Sequence, residues 1–365
     1  MAANVEKMPW WAWVFPALAW AMLGATTLGL VDASAPLVVL LDAALLGGTV
    51  FAAVHHAEVV AARVGEPFGS LVLAVAVTVI EVALIVSLIL SGGPDKAALA
   101  RDTVFAAVMI VCNGIVGLCL LSGGARHGEQ GFQVRGAAAA LAVLATLATL
   151  ALVLPNHTLG KAGPVFTPAQ LVFVGVVSLV LYGVFVFVQT IRHRDYFLSA
   201  AAPDEDAEPA LRPSVGVTFA SLALLVAALA AVVLLAKTLS PALQAAVDAA
   251  GLPAAVVGVA IAALVLMPEG LAAVRAARAD RLQTSLNLAL GSALATIGLT
   301  IPTVAAVSLL LGFDLVLGLD ARDTVLLVLT LFVAVLTLGT GRTTVLQGAV
   351  HLVIFAVFLF LAASP

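Results

Sequence analysis

Two glutamates stand where an acid is costly to keep. Glu81 interrupts the apolar run from Ser70 to Leu90, and Glu269 follows Pro268 in the run that begins at Pro253. At helical rise, Glu81 lies about 16 Å from the start of its run and about 13 Å from the end. A charged carboxylate at mid-membrane costs roughly 2.5–3.5 kcal/mol even on lenient insertion scales. Such a group is protonated, paired or bound to a cation. One that must choose between proton and metal is suited to exchange, because cation binding expels the proton. The alternative is a neutral glutamic acid that only hydrogen-bonds within a helix bundle. Pro268 and Gly270 flank Glu269, and they loosen a helix and free main-chain carbonyls, the hard oxygens that Ca2+ and similar ions accept.

Neutral oxygens follow each acid. Ser285, Ser292, Thr296, Thr300 and Thr303 recur at intervals of 7, 4, 4 and 3, one polar stripe on a helix, with Asn287, Gly291, Gly298 and Pro302 beside it. Asn113, Gly114 and Gly117 hold the corresponding place after Glu81. The glycines alone are equally the mark of close helix packing. Thr78, three residues before Glu81 and on its face, is either a ligand or a hydroxyl bonded to its own backbone. Glu58 and Glu66 flank Arg63, as an ion entrance or as an interfacial salt bridge. His55 and His56 lack the His-Glu-x-x-His spacing, so no zinc site is expected, and His351 with Gln347 reads as a structural pair. Cys112 and Cys119 are two turns apart, about 10.5 Å along an axis, too far to bridge, and read as small buried hydrophobes. No Gly-x-x-x-x-Gly-Lys-Ser/Thr loop is present, which points to an ion gradient as the energy source and to no bound cofactor.

The elements that must position these groups are membrane helices. Of 365 residues 63% are hydrophobic and only 10% charged, and mean hydropathy is +1.20, a composition no soluble core can use. The uninterrupted apolar runs indicate helices, not the alternating strands of a barrel. Eleven spans are expected, at about 11–30, 36–54, 70–90, 103–121, 136–154, 168–191, 215–236, 253–274, 284–311, 324–338 and 345–362. With the N-terminus cytoplasmic, Lys7, Arg63, Arg126, Arg135, Arg192, Arg194, Arg212, Arg275, Arg278, Arg281 and Arg342 fall inside. Lys96, Arg101, Lys161, Lys237 and Arg322 fall outside, and eleven against five supports eleven crossings with the C-terminus outside. Trp10 and Trp11 behind Lys7 mark a retained first helix with an interfacial anchor. A net charge of −4 offers no basic patch for nucleic acid, so the expected partners are the lipid bilayer and inorganic cations.

The connection from Arg192 to Pro213 carries Asp195, Asp204, Glu205, Asp206 and Glu208, and reads as a solvated linker that could also gather cations. It divides the chain into an N-terminal helix (residues 1–34), a first five-helix repeat (35–191), the cytoplasmic acidic linker (192–213) and a second five-helix repeat (214–365). Because five is odd, the glutamate helices run in opposite directions, the inverted-repeat arrangement that places an ion site at the midplane between halves.

The motifs Gly65-Glu-Pro-Phe-Gly-Ser-Leu-Val-Leu-Ala-Val-Ala-Val-Thr-Val-Ile-Glu-Val-Ala-Leu-Ile85, Pro268-Glu-Gly-Leu-Ala-Ala-Val-Arg-Ala-Ala-Arg278 and Ser285-Leu-Asn-Leu-Ala-Leu-Gly-Ser-Ala-Leu-Ala-Thr-Ile-Gly-Leu-Thr-Ile-Pro302 resemble the bacterial branch of the calcium/proton antiporters, in the cation/calcium exchanger superfamily. The resemblance implies an essential glutamate in each inverted repeat, here Glu81 and Glu269, binding cation and protons alternately. It also implies that Asn113 and Ser292 match polar positions of the following helices, and that Glu66 sits at the cytoplasmic mouth. Plant and fungal members carry Gly-Asn-x-x-Glu at both sites, whereas this chain reads Val77-Thr-Val-Ile-Glu81 and Val265-Leu-Met-Pro-Glu269. The expected activity is exchange of cytoplasmic Ca2+ for external protons across the inner membrane, by a transporter and not an enzyme. The alternatives are Na+ or K+ exchange on the same glutamates and a membrane scaffold that transports nothing.

Overall fold

A computed structural model describes residues 8–65, 68–92, 97–198 and 212–364. Within them the chain forms eleven helical rods: α1 (Trp10–Thr27), α2 (Pro36–Val64), α3 (Phe68–Gly92), α4 (Leu99–His127), α5 (Val134–His157), α6 (Pro168–Arg192), α7 (Val215–Ala249), α8 (Ala255–Arg278), α9 (Leu282–Leu311), α10 (Ala321–Leu338) and α11 (Val345–Ala363). Among the described residues nine of these are long and apolar enough to cross a bilayer, and α3 has an apolar stretch at Val72–Ser87. A helix satisfies its own backbone, which lipid cannot do for it, so an apolar chain of this kind has few other choices. The protein is an all-α integral membrane protein, α1 followed by two successive sets of five helices, α2–α6 and α7–α11.

Several rods outrun the apolar runs that mark them in sequence. α2 continues beyond Val54 to Val64, because a helical turn buries His56 while leaving Glu58 exposed. α7 continues beyond Ala236 to Ala249 and carries Pro241 inside it. α4 begins at Leu99 and reaches His127. Charged and polar side chains near a helix end reach water without breaking the backbone ladder, so composition alone underestimates the helix.

The helices fall into two compact units. In the first, α2 packs against α1, α3 and α7. Trp20 Nε1 donates to the Ala227 carbonyl at 3.0 Å, His56 Nε2 to the Ala12 carbonyl at 2.9 Å, and Arg63 Nη1 to the Pro213 carbonyl at 3.1 Å. The Phe15 ring lies so close over Gly48 that no side chain fits there.

In the second unit, α8 packs against α4 and α9, and α11 covers α4. Its connections gather at two ends. At one end, strand β1 (Gln130–Gly131) pairs antiparallel with β2 (Arg342–Thr343), and Gln130 Nε2 donates to the Ala277 carbonyl at 3.0 Å. At the other, the Leu319 amide donates to the Leu152 carbonyl at 2.8 Å, the Leu317 amide to the Pro164 carbonyl at 3.1 Å, and Arg101 Nη1 to the Gly318 carbonyl at 3.2 Å. The α4–α5 and α10–α11 turns thus share one end, as the crossing count requires. That end holds Arg126, Arg135, Arg194, Arg278, Arg281 and Arg342, whereas Arg101, Lys161 and Arg322 lie at the opposite one.

At the start of the long central connection Arg192, His193, Arg194 and Asp195 are exposed, and the aromatic pair that follows is anchored. Phe197 is buried edge-on against Phe185 with ring centroids 5.9 Å apart, and Tyr196 stacks on His193 at 4.8 Å beneath the Arg135 guanidinium. Asp204, Glu205, Asp206 and Glu208 lie outside the described residues.

Candidate cation site

Glu81 lies in the first unit, in the middle of α3, and only 2% of its surface is exposed. Thr78 is buried one turn before it and donates its hydroxyl hydrogen to the Ala74 carbonyl at 2.8 Å. That bond leaves the Oγ1 lone pairs directed away from the backbone, so the hydroxyl can act as an acceptor or as a ligand to a cation. Around Glu81, α3 is composed almost wholly of Val, Ile, Leu and Ala, which leaves its carboxyl the one strongly charged group of the helix.

Glu269 belongs to the second unit and is half-buried in α8, directly after Pro268. Proline has no amide hydrogen for the Leu264 carbonyl one turn back, so that oxygen is released from the ladder beside the acid. The next residue, Gly270, faces Ile115 of α4 so closely that an added Cβ would come within 3.1 Å of Ile115 Cδ1. Ile115 ends a π-helical turn, Ile110–Ile115, and further ones lie in α5 at Thr149–Val153, in α6 at Val188–Arg192 and in α9 at Thr296–Thr300. A π turn widens the ladder and frees backbone groups, and such turns gather at functional sites. In α9 the cause is local, since Pro302 has no donor for the Gly298 carbonyl. The turns of α4 and α9 lie in the third helix of each five-helix set.

The predicted polar positions divide. Ser285, Thr296 and Thr300 are buried, Ser292 is half-buried, and Thr303 is exposed with its hydroxyl on the Leu299 carbonyl at 2.7 Å. Asn287 accepts from Gln283 Nε2 at 2.9 Å and donates to the Phe197 carbonyl at 2.5 Å, so its amide anchors the central connection. Asn113, inside the α4 π turn, is 0% exposed; its Nδ2 donates to Thr330 Oγ1 at 2.9 Å and its Oδ1 faces His351 Nδ1 at 3.1 Å. His351 Nε2 in turn lies 3.1 Å from Thr337 Oγ1. An amide oxygen only accepts, so Nδ1 carries the proton and Nε2 accepts from Thr337. His351 therefore pairs with Asn113 and Thr337, and Gln347 caps α11 through Thr344 instead of pairing with His351.

Of the two acids predicted at an entrance, Glu58 is exposed and forms no ion pair among the described residues, because Arg63 is engaged with the Pro213 carbonyl. Glu66 lies outside the described residues. His55 meets Trp11 edge-on at 5.2 Å, and Cys112 and Cys119 are buried free thiols. Residue-by-residue reading missed the His351 partnership and missed Asp42, a buried acid of α2 that interrupts the apolar run Pro36 to Leu46 much as Glu81 interrupts its own.

A family model described as sodium/calcium exchanger protein matches residues 34–191 and 220–363, which correspond to the two five-helix sets. The chain is 57% identical over 360 residues to the y4hA protein of Sinorhizobium fredii (strain NBRC 101917 / NGR234), covering 98% of this chain and 97% of that one. It is 35% identical over 320 residues to the sodium-potassium/proton antiporter ChaA of Escherichia coli (strain K12), covering 87% and 86%. The fold superposes on the Ca2+/H+ antiporter YfkE with a TM-score of 0.72 at 16% identity, covering 96% of this chain and 99% of that one. The chain belongs to the sodium/calcium exchanger protein family and is an antiporter of the cation/calcium exchanger superfamily.

Proposed function

We propose that this antiporter exchanges cytoplasmic Ca2+ for external protons, with Glu81 and Glu269 carrying the load and Thr78 and Ser292 contributing neutral oxygens. The observation that carries the reading is the deep burial of Glu81 in an apolar helix. Each carboxylate bears one negative charge, which cation binding or a proton neutralises. Both loaded forms are then neutral, and neutrality favours passage through a low-dielectric interior. The empty, doubly charged form is disfavoured, which couples the two flows. The Leu264 carbonyl and the wide turns of α4 and α9 add main-chain oxygens of the kind Ca2+ accepts. The N-terminus is cytoplasmic and the C-terminus external, in the bacterial plasma membrane, by the excess of arginine at one end.

A second reading has its own support in the likeness to ChaA, a sodium-potassium/proton antiporter. On it, Na+ or K+ rides on the same glutamates. The absence of an asparagine three residues before each glutamate removes an amide oxygen from each helix and favours less demanding ions. Flux of radioactive calcium and of radioactive sodium into everted vesicles under an imposed pH gradient separates the two. Calcium uptake that collapses the gradient is expected; sodium uptake alone selects the second reading, and no cation-driven proton movement rejects both.

A further inference from the structure

Along α2 a second polar series runs at intervals of seven residues: Asp42, Thr49, His56 and Arg63. Seven residues are nearly two full turns, so all four project from one face. Three have committed partners. Thr49 Oγ1 donates to the Leu45 carbonyl at 2.6 Å, His56 Nε2 to Ala12, and Arg63 to Pro213. Asp42 differs: it is 2% exposed, and its Oδ1 has no hydrogen-bond partner among the described residues. It is six residues from Pro36, about 9 Å from the α1–α2 loop at helical rise.

No countercharge is available from the helices packed on α2. By sequence α1 has no titratable side chain, and α3 has only Glu81. α7 has Lys237 and Asp248, both exposed, and the other titratable groups of α2 itself, His55, His56, Glu58 and Arg63, lie thirteen or more residues further along. An unpaired carboxylate in such surroundings takes up a proton instead of bearing charge. A purely structural acid is held by a donor, as the rest of the series is held by its partners, and Asp42 Oδ1 has none among the described residues.

We infer that Asp42 is a proton-binding site of the transporter, additional to Glu81, protonated in the conformation described and ionised when the cycle opens it to the α1–α2 loop end. The inference rests on the antiport reading above. The proton comes from the aqueous side at that loop and returns to water there, and no bond other than O–H forms or breaks.

The test is proton-coupled cation flux by the full-length protein in liposomes across a range of external pH. Asp42→Asn is expected to move the pH of half-maximal rate by about one unit, a tenfold change in proton affinity, while Asp42→Glu restores the parent profile. An Asp42→Asn profile that superposes on the parent overturns the inference. If Asp42→Asn does not insert, the parent decides. Dicyclohexylcarbodiimide, which adds to protonated carboxyls in apolar surroundings, is expected to label Asp42 and to lose about tenfold in labelling per pH unit above the midpoint. Labelling that is absent or indifferent to pH overturns the inference. Glu81→Gln keeps the two readings apart: flux retained in that variant defeats the antiport mechanism and leaves Asp42 labelling as the measure of this one.

Discussion

At the scale of single residues, the proposed exchange on carboxyl groups makes a sharp demand on Glu81 and Glu269. A glutamine has nearly the same shape, keeps a carbonyl oxygen, and can neither ionise nor neutralise a metal. Glu81→Gln and Glu269→Gln are each expected to abolish exchange, measured in vesicles, while protein level and elution volume in detergent stay at parent values. His351 makes a different demand. Replacing it with leucine strips the donor from Asn113 Oδ1 and the acceptor from Thr337 inside a wholly buried cluster. Leaving such groups unmatched costs roughly 1–3 kcal/mol, so thermal unfolding in detergent falls for His351→Leu and recovers in part for His351→Gln. These residues differ in how well sequence reveals them. Glu81 stands out because a carboxyl contrasts with every neighbour in its run. The partners Asn113 and His351 are 238 residues apart, and no local pattern connects them. Asp42 carries the same contrast as Glu81, but its nearness to a span boundary makes it look like an ordinary interfacial acid.

At the scale of elements, α4 and α11 meet through glycine. Gly117 leaves room for Leu352 and the His351 Cβ, and Gly348 touches the backbone of α4 at Leu121 and Gly117. A methyl group at residue 348 has only main chain to push against, which cannot swing aside as a side chain can. Gly348→Ala is therefore expected to destabilise the protein by about 1–3 kcal/mol, read as a lower unfolding temperature, and to disturb Asn113 in the turn that α11 supports. Helix existence was legible from the apolar runs, because the bilayer sets their length. Helix ends and π turns were not. An end depends on whether polar side chains such as His56 find a buried acceptor, and a wide turn depends on one missing hydrogen bond, neither of which alters hydropathy.

At the scale of the whole molecule, the pairing of β1 with β2 fixes which connections of the second unit share an end, and the proposed orientation puts that arginine-rich end in the cytoplasm. In a background of Cys112→Ser and Cys119→Ser, single cysteines at Lys161 and Asp314 are expected to react with a membrane-impermeant maleimide on intact cells. Cysteines at Glu129 and Thr340 are expected to react only after the membrane is opened; the reverse pattern inverts the assigned orientation. The fastening of α1 has a last consequence. His56 reaches α1 at the main-chain oxygen of Ala12, and Trp20 reaches across from α1 to the main-chain oxygen of Ala227. A peptide oxygen is present whatever residue bears it. The two bonds thus draw nothing from the side chains at residues 12 and 227, and concentrate their chemical identity in one imidazole and one indole. Substituting either ring removes a fastening of the extra helix, whereas the fully buried methyl of Ala12 matters through packing and not through this bond.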